Sequence, residues 1–587
     1  MDDKRNLILA AALTLAILFG WPLISERFFP TPKQPPVAAA PATPQAATPA
    51  GISGADAASE AAEKKEPIRP LNAVLSSAPR VAIDTPKLKG SINLKGARID
   101  DIVLPTYRET IEKNAAPVRL FAPIGTKDAY FAGFGWRGDG LKTPDRETLW
   151  AADGKTLTPK TPVTLNWDNG VGQRFKIRFS IDENYMLTAQ QSIENTGATP
   201  VSTVVFGYVS RRNQSADHNS CNNHTGPMGV FDGSANYGIS FDTLDGKQPS
   251  IWATIFSFLC PTTSQTRYET TGGWVGFTDK YWHSAIIPAQ DRPVSAGFNK
   301  GERYQADISY APVMVPPGKR SSTTSQLFVG AKETKLLERY TEGGVKLLDR
   351  AIDWGWFYWF EKPIFYLLDW LFHAIGNFGV AIICLTFVVR GLMFPIAQKQ
   401  FASMAAMRAI QPKMKAIQEK YKDDKPKAQQ AIMELYRQEK VNPLAGCLPI
   451  FLQIPIFFAL YKVLMLTIEM RHQPFVLWIK DLSAPDPLHI LNLFGLLDFT
   501  PPGFLSIGVL AILLGITMYL QFKLNPAPMD DMQKQIFQIM PWMMMFIMAP
   551  FAAGLLIYWC TSNLLTIAQQ WWLYRQHPAL RQPAVAK

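Results

Sequence analysis

One arginine, Arg390, stands near the end of a long apolar run, Asn377-Phe-Gly-Val-Ala-Ile-Ile-Cys-Leu-Thr-Phe-Val-Val-Arg390-Gly-Leu-Met-Phe-Pro395. A fixed charge with apolar neighbours on both sides costs roughly 2.5–3.5 kcal/mol at the middle of a bilayer. Two kinds of chain keep one. Some line a polar cavity with it, and in others the long side chain reaches back to the headgroups. Thr386 precedes it by four residues and shares its helix face. Further polar side chains fall in other apolar runs: Gln453 between Pro449 and Pro455, and Trp559, Asn563, Thr566 and Gln570 at spacings of four, three and four. Such residues commonly bond one helix to another. Several of them beside an arginine favour a hydrated cavity. Met540, Met543, Met544, Met545 and Met548 crowd one more run. Methionine is flexible and polarizable and suits a surface that meets varied apolar partners, although packing and lipid contact use it too.

Membrane helices must position these groups. The chain has 587 residues, 47% hydrophobic and 18% charged, and its apolar residues gather near the two ends. Leu7 to Ile24 follows Lys4 and Arg5 and lacks a small-residue cleavage site directly behind Trp21-Pro22, which reads as a retained span with the N-terminus inside. Five more spans are expected near Ile364–Val389, Pro443–Leu466, Phe504–Phe522, Ile536–Ala549 and Phe551–Tyr574. The segment after the second span is rich in Lys and Arg, and the loop after the third carries Glu469, Asp481, Asp486 and Asp498 against Arg471 and Lys480. The first segment is therefore cytoplasmic and the second external, which leaves both termini inside. The net charge of +11 then reports positive-inside loops and contact with anionic lipids rather than nucleic acid.

The basic segment, 398–441, has Met404, Met407, Met414, Ile417 and Tyr421 on one stripe. Asp423-Asp424-Lys425-Pro426 breaks it, and Pro426 suits the first turn of a second helix. A helical hairpin projecting into the cytoplasm follows. Its Lys413, Lys415 and Lys420 form either a solvated orienting surface or a docking arm for a nascent chain or targeting partner.

The middle of the chain reads as soluble. Residues 29–80 are rich in Pro, Ala, Thr and Gln and form a linker. From 81 to 330 short segments alternate, as in Gln173-Arg-Phe-Lys-Ile-Arg-Phe-Ser-Ile181, with Gly, Asn, Asp and Pro between them. That pattern predicts an exported antiparallel β sandwich. An amphipathic helix at 331–362, rich in Trp and Tyr toward its end, is expected on the outer surface. The remaining units are an anchor at 1–28, a five-span core at 363–575 and a short tail at 576–587. Cys221 and Cys260 lie in the exported part and can pair in an oxidising compartment, a matter that two cysteines at unknown separation do not decide. His218-x-x-Cys221-x-x-His224 has metal-like spacing without a fourth ligand nearby, so no metal is assigned. No phosphate loop, serine elbow or His-Glu-x-x-His occurs, and no cofactor is expected.

Several of these segments resemble the YidC membrane-protein insertase family. They are Thr386-Phe-Val-Val-Arg390-Gly-Leu-Met-Phe-Pro395, Lys440-Val-Asn-Pro-Leu-Ala-Gly-Cys-Leu-Pro449, Gln453-Ile-Pro-Ile-Phe-Phe-Ala-Leu-Tyr461, Phe475-Val-Leu-Trp-Ile-Lys-Asp-Leu-Ser483 and Gly554-Leu-Leu-Ile-Tyr-Trp-Cys-Thr-Ser-Asn-Leu564. They occur in the family's order across about 332–574. The layout resembles the form with a large periplasmic domain, found in bacteria with two membranes. The resemblance implies an inner-membrane protein with a β-supersandwich similar to sugar-mutarotase folds. It also implies a groove open to the cytoplasm and to lipid. Arg390 and Thr386 match the family's groove arginine and threonine. Related members often carry paired tyrosines in the sixth span near the substrate path; here the pair is Tyr558-Trp559, which keeps an aromatic face and a donor. Implied partners are nascent membrane proteins, the Sec translocon, and the ribosome or signal-recognition targeting machinery. A client's helix would slide along the third and fifth spans, past Met540, Met544 and Met548. No covalent step is catalysed. The competing readings are a small-molecule transporter, which would show inverted repeats, and a tethered carbohydrate-active enzyme, which would need converging carboxylates or histidines in the β domain.

Overall fold

The computed structural model describes residues 68–217, 223–247, 263–355, 358–421, 424–439, 448–494, 496–497, 506–524 and 531–576. The first apolar run, Cys221 and Cys260 lie outside them.

From residue 80 to residue 331 the chain builds two largely antiparallel sheets, of eleven and nine strands among the described residues. Strand Gln173–Ile181 shows why. Phe175, Ile177, Phe179 and Ile181 are buried, while Arg174, Arg178 and Ser180 are exposed. A period of two sends each set to its own face. The strand pairs with Met186–Asn195, Phe179 opposite Ala189 and Phe175 opposite Ile193, and that strand pairs in turn with Arg320–Ala331. The core lies between the sheets. Phe134 of the larger sheet sits 6.1 Å from Phe179 of the smaller, and Trp136 5.2 Å from Phe175. Each such ring contributes about 1.5–3 kcal/mol by leaving water.

Nine α-helices follow among the described residues: α1 (Thr334–Glu342), α2 (Tyr358–Ile375), α3 (Phe378–Ala409), α4 (Gln411–Lys420), α5 (Lys425–Gln438), α6 (Leu448–Leu466), α7 (Val509–Leu524), α8 (Asp531–Met548) and α9 (Ala553–Gln576). Among the described residues one stretch, Phe378–Gln398 of α3, is long and apolar enough to cross a membrane. Pro455–Leu466, Val509–Leu524 and Gln538–Met548 are shorter apolar stretches. α9 packs against α3 and α7, and α7 against α8, with Ile382, Leu385, Leu510, Leu514, Leu555 and Leu556 buried among them.

Two boundaries differ from the sequence expectation. The single amphipathic helix at 331–362 is instead the short α1, ended by Gly343-Gly344, with Gly344 at φ +107°. Glycine takes that left-handed turn without a Cβ clash. The apolar side of α1 is covered by protein rather than offered to lipid: Leu336 and Leu337 are buried, and the Tyr340 hydroxyl bonds Asp182. The span expected over 364–389 is two helices. Gly376, at φ +80°, closes α2, and the Asn377 side chain accepts Val380 N–H at 3.1 Å to open α3.

Polar contacts join the β domain to the helices. Glu333 accepts from Lys87 (2.6 Å), Tyr107 (3.1 Å) and Tyr185 (2.8 Å). Glu469, beyond the end of α6, accepts Thr334 N–H at 3.1 Å and so caps α1. Burial pushes the Glu469 carboxyl up to about 7; the Thr334 N–H opposes the shift, and the charges of Glu333 and Asp369 add to it. Arg471 donates to the Arg108 carbonyl at 2.8 Å. Lys462, a buried cation on apolar α6, donates to the Asp353 carbonyl at 2.7 Å and meets its carboxylate at 3.3 Å.

Candidate functional site

Arg390 lies on α3, twelve residues beyond its first residue, Phe378. Its Nε donates to Ser562 Oγ of α9 at 3.0 Å, and a terminal guanidinium nitrogen donates to the same hydroxyl. Ser562 is buried and Arg390 half-buried. Among the described residues these guanidinium hydrogen bonds end on a neutral hydroxyl, not on a carboxylate. A guanidinium so held is oriented but not neutralised.

The other expected residues divide into those near this contact and those elsewhere. Tyr558 lies one turn before Ser562 on α9 and is buried; Asn563, next to Ser562, donates to Thr517 Oγ1 of α7 at 3.2 Å. Trp559 is half-buried, with its ring 4.9 Å from Phe457 of α6. Gln570 is buried, and its Oε1 has no hydrogen-bond partner among the described residues. Gln453 is on α6, and its side chain is outside the described residues.

Thr386 differs from the expectation of an open groove residue. It is 0% exposed, and its hydroxyl donates to the Ile382 carbonyl at 2.7 Å on its own helix. A threonine in an apolar helix satisfies its hydroxyl this way when no other acceptor is near. The methionine stripe differs as well. Met548 is buried and Met540 and Met544 are half-buried, whereas α8 turns Ile539, Trp542, Met543, Phe546 and Ile547 outward. Met543, not the 540–544–548 row, shares the exposed face.

Helices α4 and α5 pack through Ile410, Met414, Ile417, Leu435 and Tyr436. Lys413 is exposed but pairs with Glu439 at 2.6 Å; Lys420 is exposed, and the Lys415 side chain is outside the described residues. In the β domain, His224 is buried with Nε2 2.9 Å from the Pro227 carbonyl. That backbone contact occupies one ring nitrogen of the metal-like triplet.

Three residues escaped the sequence reading. Ser562 and Thr517 are ordinary hydroxyls until the helices meet. Lys462 carried a readable signal, since it is the one charge in Pro455–Leu466, much as Arg390 is in its own run.

Residues 370–580 match the family described as 60Kd inner membrane protein, and residues 80–367 match the YidC periplasmic domain. The membrane protein insertase YidC of Zymomonas mobilis subsp. mobilis is 46% identical, over 98% of this chain and 96% of that protein. That of Methylorubrum extorquens is 43% identical, again over 98% and 96%. A crystal structure of an active YidC insertase with its first transmembrane domain resolved is similar at 18% identity and a TM-score of 0.34, covering 86% of this chain and 94% of the other. With both halves matched and relatives above 40% identity along nearly the whole length, the chain belongs to the YidC family of inner-membrane protein insertases.

Proposed function

We propose that the chain inserts nascent membrane proteins through a hydrophilic groove centred on Arg390 and Ser562. Tyr558, Trp559, Asn563, Gln570 and Gln453 flank it, and Thr386 supports it from beneath. In this reading the run at 7–24, α3 and α6 to α9 are the six spans. α2, with Trp359 and Trp370 exposed, takes the interfacial place first expected at 331–362. The β domain lies in the periplasm, and α4 and α5 form a hairpin in the cytoplasm beside both termini.

One observation carries the reading. The Arg390 guanidinium is held by a hydroxyl, so its unit charge stays available to a client. A short polar segment of the client enters beside that charge, which lowers its desolvation cost in a partly dry site. The client's apolar helix passes along α6 and the outward face of α8 into lipid, with Met540, Met544 and Met548 behind that face. Its burial drives the process, at about 25 cal/mol per Å² of apolar surface, so no nucleotide or covalent step is needed. The Sec translocon shares some clients. Lys413, Lys415 and Lys420 meet the ribosome, the targeting machinery or anionic lipid.

Insertion of radiolabelled clients into liposomes holding only this protein tests the proposal. Arg390→Lys keeps the charge and should retain most activity. Arg390→Ala should lose roughly tenfold, or about 1.4 kcal/mol, for clients with acidic leading tails, and little for matched neutral tails. Equal losses for the two clients would refute the groove-charge mechanism.

A further inference from the structure

The connection between α6 and α7 is a fixed platform with an apolar rim. Asp486 is buried at its centre. Its carboxylate accepts Trp478 Nε1–H (3.0 Å), Leu488 N–H (3.0 Å) and Leu510 N–H (2.8 Å), the last in the first turn of α7. Asn377, at the start of α3, donates to the Phe475 carbonyl at 3.1 Å. Ala553 and Gly554, at the start of α9, donate to Ala484 and Leu482 at 2.8 and 3.0 Å. A Cβ on Gly379 would fall 2.0 Å from the Phe475 ring, so glycine alone lets the platform close on α3. Three helix starts thus hold one loop.

The rim does the opposite of what water favours. Leu477 is 83% exposed and Leu496 84%, and Leu491, Leu493 and Phe494 are about half exposed. Leu477, Leu493 and Phe494 also hold left-handed backbone, at φ +58°, +49° and +58°. Each such residue is strained relative to the right-handed region. A side chain held outward in strained backbone gains stabilisation on leaving water. No Lys, Arg, Asp or Glu lies between Asp486 and Asp498.

The occupant follows from position. Arg471 ties the start of this connection to the β domain and Glu469 ties it to α1 directly after that domain, so the rim lies at the periplasmic end of the helices. α2 marks the same level. Its Asp369 pairs with Lys335 of α1 at 2.6 Å, its end abuts Asn377, and it exposes Trp359 and Trp370. Exposed tryptophans on α2 and uncharged leucine-rich tips on this connection are together the composition of a membrane–water boundary. We propose that residues 476–477, 490–494 and 496–497 insert into the outer leaflet of the inner membrane, as deep as the headgroup–acyl boundary. They form a lipid anchor for the outer end of the helices that is separate from the groove.

Benzoylphenylalanine placed at Leu477, Leu491 or Leu496 of the full chain, irradiated in native inner membranes and read by mass spectrometry, tests this. Val171, a 65% exposed apolar residue in a turn of the β domain, is the water-facing control. Phospholipid adducts at all three rim positions, at least tenfold above Val171, are expected. Protein adducts dominating at those positions would make the rim a protein-docking surface and overturn the proposal. Lipid adducts no more frequent than at Val171 would overturn it too. Thermal midpoints equal to the parent's within about 2 °C establish that each labelled chain is folded, so a missing adduct counts against insertion.

Discussion

Replacing Lys462 by methionine should destabilise the helical region far more than removing one surface charge would. The Lys462 side chain is 7% exposed and that of Asp353 17%, and the two meet at 3.3 Å with a second bond to the Asp353 carbonyl. Breaking a buried pair by removing one partner typically costs about 3–5 kcal/mol, because the other charge stays behind. Lys462→Met leaves the Asp353 carboxylate in that position and should cost about 3 kcal/mol. Asp353→Asn should cost less, about 2 kcal/mol, since the ammonium keeps the backbone carbonyl. Glu361, buried and electrostatically coupled to Lys462, also limits that loss. The double variant leaves neither member of the pair charged without the other and should lie within about 1 kcal/mol of the parent, a coupling of about 4 kcal/mol. For a helical region of this size the Lys462→Met shift is roughly 6–12 °C in thermal midpoint. Scanning calorimetry of the four proteins in one detergent reads the cycle. Additive single effects, with coupling below about 0.5 kcal/mol, would mean that the ammonium is solvated and the pair contributes nothing.

Further outcomes follow from other contacts. The Glu469 carboxyl holds its proton more tightly folded, at about 7, than unfolded, at 4.5. Its contribution is therefore full below pH 4.5 and is lost as pH rises through 7, a fall of about 3 kcal/mol at 1.36 kcal/mol per unit; Glu469→Gln should flatten midpoint against pH over that window, and parallel profiles would rule this out. Ser562→Ala removes the Arg390 acceptor and, at about 1 kcal/mol for a half-exposed guanidinium, should cut insertion of acidic-tailed clients roughly fivefold, while Ser562→Thr restores it; equal activity in the two variants would show that the hydroxyl does not position the arginine. Peptide mapping of protein taken from the native membrane decides whether Cys221 and Cys260 are bridged, and finding both freely alkylated would exclude the bond.

What the sequence disclosed depended on how locally each feature is determined. Gln173–Ile181 was legible because one face is dry and the other wet, and a strand records that in every second residue. The 364–389 span was misread because apolar residues predominate on both sides of Gly376-Asn377. The correct signal was chemical: a glycine fit to end one helix, then an asparagine fit to cap the next. Arg390 stood out as a lone charge in an apolar run, but its partner did not. Ser562 is 172 residues away, and nothing short of the packing of α3 on α9 selects it over Thr561 or Thr566. The methionine row failed for a related reason. Periodicity groups Met540, Met544 and Met548 on one side of α8 without saying whether that side meets protein or lipid.

The polar joint between β domain and helices also sets an order of assembly. Arg471 and the Arg108 carbonyl it grips are 363 residues apart, and Glu469 lies 135 residues beyond Thr334. At about 5–20 residues per second of synthesis, Arg108 emerges roughly 20–70 s before Arg471 exists. The sheets, whose partners are all made earlier, have that interval in which to close on themselves. The joint is then the last step for this half of the molecule, made when the end of α6 reaches a surface already folded and waiting.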